Sequence, residues 1–192
     1  MRPYPLDVDA LLDDVAGELD GLTVEVRARF GHLDATRMAW RPGPGRWGVG
    51  HCLVHVARIN ELYRARLEPA LEAAPGRGRL ARRPLRGSWS GRRFTQFVGP
   101  APKRPVRTLA LFEPRDEVAE GSAMEAFLGE QSRLRAVLDA ARGLDLDRVR
   151  ISSPATRLLR FPAGDVLRFL TAHERRHVDQ ALRVLDAPGF PG

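Results

Sequence analysis

The sequence predicts an all-α protein, built as a four-helix bundle with a long crossover between the second and third helices. Two observations predict this fold class. Four segments repeat apolar residues at steps of three and four, which places those residues along one face of a helix. The second and third segments are separated by roughly forty residues rich in Gly, Pro and Arg, too many for a simple turn between neighbouring helices.

The four predicted helices are bounded by residues that typically begin or end helices. Asp7 precedes the first apolar stripe, where an N-cap side chain belongs. Gly143 follows the third stripe, and Pro162 and Pro188 lie on either side of the fourth. The predicted helices cover about residues 7–33, 49–73, 122–142 and 163–185.

The connection between the second and third helices, residues 74–115, carries most of the positive charge of the chain. It contains eleven Lys or Arg residues and one acid, a local charge of +10 in a chain of net charge +7. A solvated loop is the simpler interpretation, although such a segment can also attract phosphates or carboxylates. Its stretches "RFTQFV" and "VRTLALF" are predicted to be short extended pieces that tie the loop to the bundle.

Length and composition limit the class of protein. A chain of 192 residues with 43% hydrophobic residues can bury a core as one domain, residues 1–192. Cys52 is the single cysteine, so no internal disulfide can form. No apolar run approaches the ~20 residues of a membrane span, and the first residues turn acidic where a secretory signal is apolar. We therefore expect a cytoplasmic protein with no membrane partner.

Four of the five histidines form two pairs with a spacing of four residues, His51 with His55 and His173 with His177. Residues at this spacing lie on the same helix face, so a pair can offer two imidazoles to one metal ion. The pair on the fourth helix and one histidine from the second would give three nitrogen ligands and an open coordination position. Hydrogen-bonded core histidines are the alternative interpretation. Four buried rings without a role would be costly, which favours a metal site.

Two stretches of the chain resemble the DinB-like family of damage-inducible four-helix proteins. They are "MAWRPGPGRWGVGHCLVHVARINELY", residues 38–63, and "FPAGDVLRFLTAHERRHVDQALRVL", residues 161–185. The most specific parts are the turn entering the second helix and the "HExxHxxQ" pattern of the last. The resemblance extends over about residues 5–187. It implies a four-helix bundle, the fold that the helical periodicity also predicts.

The resemblance also implies which histidines bind a metal. In the family a histidine eight residues after the turn tryptophan joins the two histidines of the last helix around a divalent ion. Counted from Trp47, that residue is His55, and its partners are His173 and His177. The implied ion is Zn, Ni or Fe. His51 has no place in this pattern, so we expect it to be a non-ligand, either supporting a ligand or lying at the mouth, rather than a fourth ligand.

Three further residues lie next to the implied site. Gly48 replaces a serine that is common in the family at the start of the second helix, which removes a helix cap. Gln180 could hydrogen-bond within the site or fill the core. Glu174 completes an HExxH sequence, the signature of zinc metalloproteases. Because a bundle does not provide the structural context of those enzymes, we expect Glu174 to be an exposed helix residue without a catalytic role.

The resemblance implies a metal-dependent enzyme that acts on a small molecule. Relatives include transferases of low-molecular-weight thiols such as bacillithiol or mycothiol, and also proteins described as hydrolases. We therefore expect a thiol S-transferase or a hydrolase, and a homodimer as in many relatives. In the first case the basic connection could hold the carboxylates of the thiol. The alternatives are a stress-related protein that binds a metal or ligand without turnover and, ranked last, nucleic-acid binding through the basic connection, which lacks a recognition motif.

Overall fold

The computed structural model describes residues 1–74, 83–100, 108–114 and 122–191. Within these ranges the protein is predominantly helical, which confirms the predicted all-α bundle. Its helices are α1 (Val8–Phe30), α2 (Ala35–Ala39), α3 (Val49–Glu72), α4 (Trp89–Val98), α5 (Ser122–Ala141) and α6 (Ala163–Leu185). A 3-10 turn covers Ala110–Phe112, and two short strands, β1 (Arg150–Ser152) and β2 (Arg160–Pro162), pair antiparallel between α5 and α6.

The four long helices, α1, α3, α5 and α6, form the bundle. Both α1 and α3 pack against α5 and α6, so α1 lies opposite α3 in the cross-section. The short helix α4 covers a further side of α6. Since α6 is enclosed by α1, α3 and α4, it buries residues well beyond one apolar stripe, including the polar residues Asp165, Thr171 and Glu174.

The predicted helix boundaries agree with the structure to within a few residues. The Asp7 carboxylate accepts hydrogen bonds from the backbone N–H groups of Asp9 at 2.9 Å and Ala10 at 3.4 Å, as expected of an N-cap. Gly143 has a φ of +74°, a left-handed conformation that suits glycine just beyond the end of α5. Among the described helices, none is both long enough and apolar enough to cross a lipid bilayer.

The prediction of extended pieces in the basic connection was wrong where the structure describes it. Residues 93–98, "RFTQFV", belong to α4, which begins because the Ser88 hydroxyl accepts a hydrogen bond from Gly91 N at 2.9 Å. Phe94 packs against the rings of Phe161 and Phe169, which holds α4 on the bundle. Within "VRTLALF", Ala110–Phe112 form the 3-10 turn. Residues 75–82, 101–107 and 115 of the connection lie outside the described part.

A polar layer divides the apolar core of the bundle into two halves. In α3 the core residues up to Val56 belong to one half and those from Ile59 onward to the other. In α6 the core residues up to Leu170 belong to one half, and those from Val178 onward belong to the other. The polar layer between the halves comprises His55, Asn60, Gln131, His173, Glu174 and His177. Polar groups buried at this depth require partners, so the layer is where a functional site is expected.

The start of α3 depends on a glycine, and this gives the first prediction. Gly48 is the N-cap and provides no side-chain hydrogen bond, as expected from the sequence. A Cβ atom at this position would lie 1.9 Å from the Trp40 carbonyl oxygen. Capping preferences alone predict that Gly48→Ser stabilises the protein by a few tenths of a kcal/mol. We expect it instead to lower the free energy of unfolding by about 1 to 3 kcal/mol, because the Trp40 backbone must shift.

The matched control is Gly17→Ala in α1, where an added Cβ meets no atom within 4 Å. This replacement is expected to raise the free energy of unfolding by about 0.5 to 1 kcal/mol, since alanine is the better helix former. Urea denaturation of both variants measures the two effects. A stabilising Gly48→Ser would show that the turn before α3 is not packed as described.

Candidate metal centre

Three histidine side chains converge in the polar layer from two helices. α3 contributes His55, while α6 contributes His173 and His177, one turn apart. Each ring offers a nitrogen, and the three nitrogens lie within 4.8 Å of one another. The Nε2 atoms of His55 and His173 are 3.4 Å apart. The structure therefore brings together the three residues that the sequence predicted.

A hydrogen bond to the backbone determines which nitrogen of the His55 ring carries the proton and which offers a lone pair to the cluster. His55 Nδ1 is 2.6 Å from the backbone oxygen of Phe112. Because a carbonyl oxygen can only accept, Nδ1 carries the proton and Nε2 has the free lone pair. Histidine ligands of metals commonly donate their second N–H in this way, which fixes the ring orientation.

Burial keeps the three rings uncharged. It lowers the pKa of His55 to about 4, and it lowers the pKa values of His173 and His177 well below their usual range. The positive charge of Arg176 lowers the pKa of each ring further. At neutral pH all three histidines are therefore in the form that can bind a metal ion.

The arrangement fits a divalent metal ion. Two nitrogens bound at 2.0–2.1 Å in a tetrahedral site lie about 3.3 Å apart, close to the observed separation of 3.4 Å. In the described part of the chain, His173 Nδ1 is buried without a hydrogen-bond partner, so the ring depends on its Nε2 side for a polar contact. The donor set consists of neutral imidazoles, which suit Zn, Ni or Fe.

Trp47 covers part of the cluster, at the end of the turn that leads into α3. Its ring centroid lies 4.7 Å from that of His55 and 5.6 Å from that of His177. The indole is partly exposed, so it forms a wall between the histidines and solvent. An apolar wall of this kind limits water access to a bound ion.

Two other residues near the site, His51 and Gln180, occupy different positions. His51 is buried outside the cluster, where Arg41 Nη2 donates a hydrogen bond to its Nε2. His51 is thus not part of the group of convergent nitrogens among the described residues. Gln180 is partly exposed and raises the pKa of His177, against the effect of burial. It therefore interacts with the site and does not fill the core.

The prediction that Glu174 is an exposed helix residue was wrong. Its side chain is fully buried, with a relative exposure of 0%. Asn60 Nδ2 donates to its Oε1 at 2.9 Å, and Gln131 Nε2 donates to its Oε2 at 2.6 Å. Its carboxylate thus links α3, α5 and α6. Burial raises its pKa to about 7, while the two amides act in the opposite direction.

Sequence reasoning missed Arg176, whose positive charge acts on all three histidines. Its Nη1 donates to the backbone oxygen of Phe97 in α4 at 3.4 Å, so part of the side chain is held against the bundle. The helical spacing contained a signal for it, because Arg176 lies three residues after His173. Nothing in the spacing indicated that Phe112, from the basic connection, would hold His55.

The pH dependence of stability gives a second prediction, for the metal-free protein. Each of the three histidines has a lower pKa in the folded protein than in the unfolded chain. As the pH falls below about 6.5, the unfolded chain therefore binds more protons than the folded protein does. The free energy of unfolding should therefore fall between pH 7 and pH 5, by about 1.4 kcal/mol per pH unit for each histidine that titrates only on unfolding. Urea denaturation at several pH values measures this slope.

Glu174 opposes that trend and provides a control. Its folded-state pKa is raised, so its contribution to stability is present at low pH and is lost as the pH rises through about 7. Glu174→Gln removes this contribution and should make the loss of stability between pH 7 and pH 5 steeper than in the wild type. A shallower loss in the variant would contradict the assignment of the buried carboxyl group.

The sequence model of the DinB superfamily matches residues 18–181, most of the chain. The chain belongs to the DinB superfamily. All three convergent histidines fall within the matched residues, so the DinB match and the cluster concern the same part of the bundle. No curated protein and no solved structure matches the chain at a significant level.

Proposed function

We propose that this DinB-superfamily protein is an enzyme that uses a divalent metal ion, held by His55, His173 and His177, on a small-molecule substrate. The observation that carries the proposal is the convergence of three neutral imidazoles inside the bundle. Three protein ligands leave a coordination position for a substrate, whereas structural zinc sites are usually closed by four.

Thiol S-transfer is the reaction that we favour over hydrolysis. When bound, a divalent ion supplies a Lewis acid that lowers the pKa of a coordinated thiol or water molecule. Among the described residues, the group of convergent ligand atoms contains only histidines, and the adjacent Glu174 faces Asn60 and Gln131. Within the described part of the chain, the site thus offers no free carboxylate as a general base. A thiol, with an ordinary pKa near 8.5, needs such a base less than water does.

Arg176 is proposed to orient the substrate. Its guanidinium is close enough to the three rings to lower their pKa values, and its Nη1 is held by the α4 backbone at Phe97. A positive charge near the three rings favours a thiol or an electrophile that carries a carboxylate. The role of Arg176 is binding, so its replacement should raise KM more than it lowers kcat.

The test is turnover by protein loaded separately with Zn, Ni or Fe. Cysteine, glutathione, bacillithiol and mycothiol are supplied in turn with a generic aromatic electrophile, and an activated ester tests hydrolysis. We expect metal-dependent consumption of one thiol, lost in His177→Ala and kept in His32→Ala, which changes an exposed histidine far from the cluster in sequence. Metal-dependent ester cleavage without thiol transfer would favour hydrolysis. Metal binding without turnover of any substrate would favour the non-catalytic alternative.

A further inference from the structure

A cavity lies beside the N-terminal part of α6, before His173 and His177 along the helix. It has a volume of about 790 Å³ and opens between the N-terminal segment, the start of α4 and the first turns of α6. Three arginines line it, Arg86, Arg92 and Arg168, and none of the three convergent histidines does. We call it the arginine cavity. Its size is in the range of small-molecule sites.

One guanidinium nitrogen of Arg168, a residue that lines this cavity, lacks a hydrogen-bond partner among the described residues. Its guanidinium carbon lies 4.6 Å from the centre of the Tyr4 ring, which fixes the group over the aromatic face. Within the described ranges, its Nη1 is buried and has no hydrogen-bond partner. A charged donor buried without a partner is costly, and in native proteins such a group commonly binds a water molecule, an ion or a ligand.

The acid in the cavity does not neutralise the arginines. The Asp165 carboxylate accepts hydrogen bonds from Tyr4 OH at 3.1 Å and from Ser88 N and Oγ, both at 2.7 Å. Gly87 and Gly91 approach it so closely that a Cβ at either position would lie within 2.6 Å of its oxygens. The role of Asp165 is therefore to hold α4 on α6.

The positive charge of the cavity exceeds its negative charge. Arg92 Nη1 donates to the Arg86 carbonyl oxygen at 3.1 Å, so these two residues are drawn together at the rim. None of the three cavity arginines forms a salt bridge with a described residue. Asp147, which accepts hydrogen bonds from the backbone N–H groups of Arg86 at 2.8 Å and Gly87 at 3.1 Å, is a second carboxylate beside the cavity. Three guanidinium groups and two carboxylates leave a net positive charge that favours an anion.

We propose that the arginine cavity binds the phosphate group of a small phosphate monoester. Guanidinium groups provide paired N–H donors that match phosphate oxygens, and a phosphate monoester carries nearly two negative charges at neutral pH. Pro3, Pro5 and Pro84 form an apolar wall beside the arginines, which can pack against the organic part of such a ligand. This site is independent of the metal centre and does not rest on the proposed enzymatic activity.

Calorimetric titration of the metal-free protein tests the proposal with three dianions at constant ionic strength: inorganic phosphate, glucose 6-phosphate and succinate. Glucose 6-phosphate should bind saturably and more tightly than succinate. Arg168→Met keeps most of the unbranched stem of the side chain but removes its charged guanidinium group, and should weaken binding by at least about 10-fold. Arg92→Gln changes an exposed side chain, so the fold should be kept, and it should also weaken binding.

Two further variants test whether the dianion binds in the arginine cavity and nowhere else on the protein. Arg157→Gln removes an exposed arginine outside the cavity and should leave the affinity unchanged. His173→Ala should also leave it unchanged, because the metal centre takes no part. The proposal is overturned if no dianion binds saturably, if succinate binds as tightly as glucose 6-phosphate, if both arginine variants bind like the wild type, or if His173→Ala abolishes binding.

Discussion

Replacing His177 with alanine is expected to weaken the binding of Zn or Ni by about 100-fold or more. Mutations of groups that only support a ligand typically cost 10- to 100-fold in affinity, so loss of a ligand should reach at least the upper end. The remaining nitrogens of His55 and His173 leave two coordination positions to be filled by water. Competition with a coloured chelator at pH 7 measures the two affinities.

The other histidines provide matched controls for this experiment. His32→Ala changes an exposed residue beyond the end of α1 and should leave the affinity unchanged. His51→Ala removes a buried ring that bonds to Arg41, so it is expected to lower stability and to change the metal affinity little. A His51→Ala variant that binds metal as weakly as His177→Ala would make His51 a ligand and contradict the three-histidine set.

Replacing Glu174 with leucine is expected to lower the free energy of unfolding by about 2 to 5 kcal/mol. The change leaves the side-chain amides of Asn60 and Gln131 buried without the carboxylate that accepts their hydrogen bonds. Each buried amide left unsatisfied costs about 1 to 3 kcal/mol. Urea denaturation at pH 7 measures the loss.

Two further variants test whether the loss arises from the hydrogen bonds. Glu174→Gln keeps the shape of the side chain. The side-chain oxygens of Asn60 and Gln131 have no hydrogen-bond partner among the described residues, so after rotation of its amide either residue can accept a hydrogen bond from the new glutamine. Its cost should therefore be clearly smaller than that of Glu174→Leu. Replacing Asn60, Gln131 and Glu174 together with leucine should recover part of the loss, because no unsatisfied donor then remains. A triple variant that is less stable than Glu174→Leu would show that packing accounts for the effect.

The helices and the histidine pair of α6 could be predicted because each depends on local spacing. Apolar residues at steps of three and four define α1, α3, α5 and α6, and the i, i+4 spacing of His173 and His177 puts both rings on one face. The choice of His55 over His51 did not follow from spacing. It came from the resemblance to the DinB-like family, and the structure agrees in placing only His55 beside the α6 pair.

The surroundings of the site could not be predicted because they depend on the relative positions of distant segments. Glu174 lies beside the apolar stripe of α6, and it is buried only because α1, α3 and α4 enclose more of that helix than one stripe. Asn60 and Gln131 become its partners because of how α3 and α5 are aligned along α6. A single sequence gives no information on that alignment. The contact of Phe112 with His55 likewise requires knowing where the basic connection crosses the bundle.

The most direct test of the central claim is a crystal structure of the protein loaded with zinc, with anomalous data collected at the zinc edge. We predict one ion in the polar layer, about 2.0–2.1 Å from a nitrogen of each of His55, His173 and His177, with a non-protein ligand in the remaining position. An anomalous peak bound by other residues, or the absence of a peak at the three histidines in fully loaded protein, would contradict the claim.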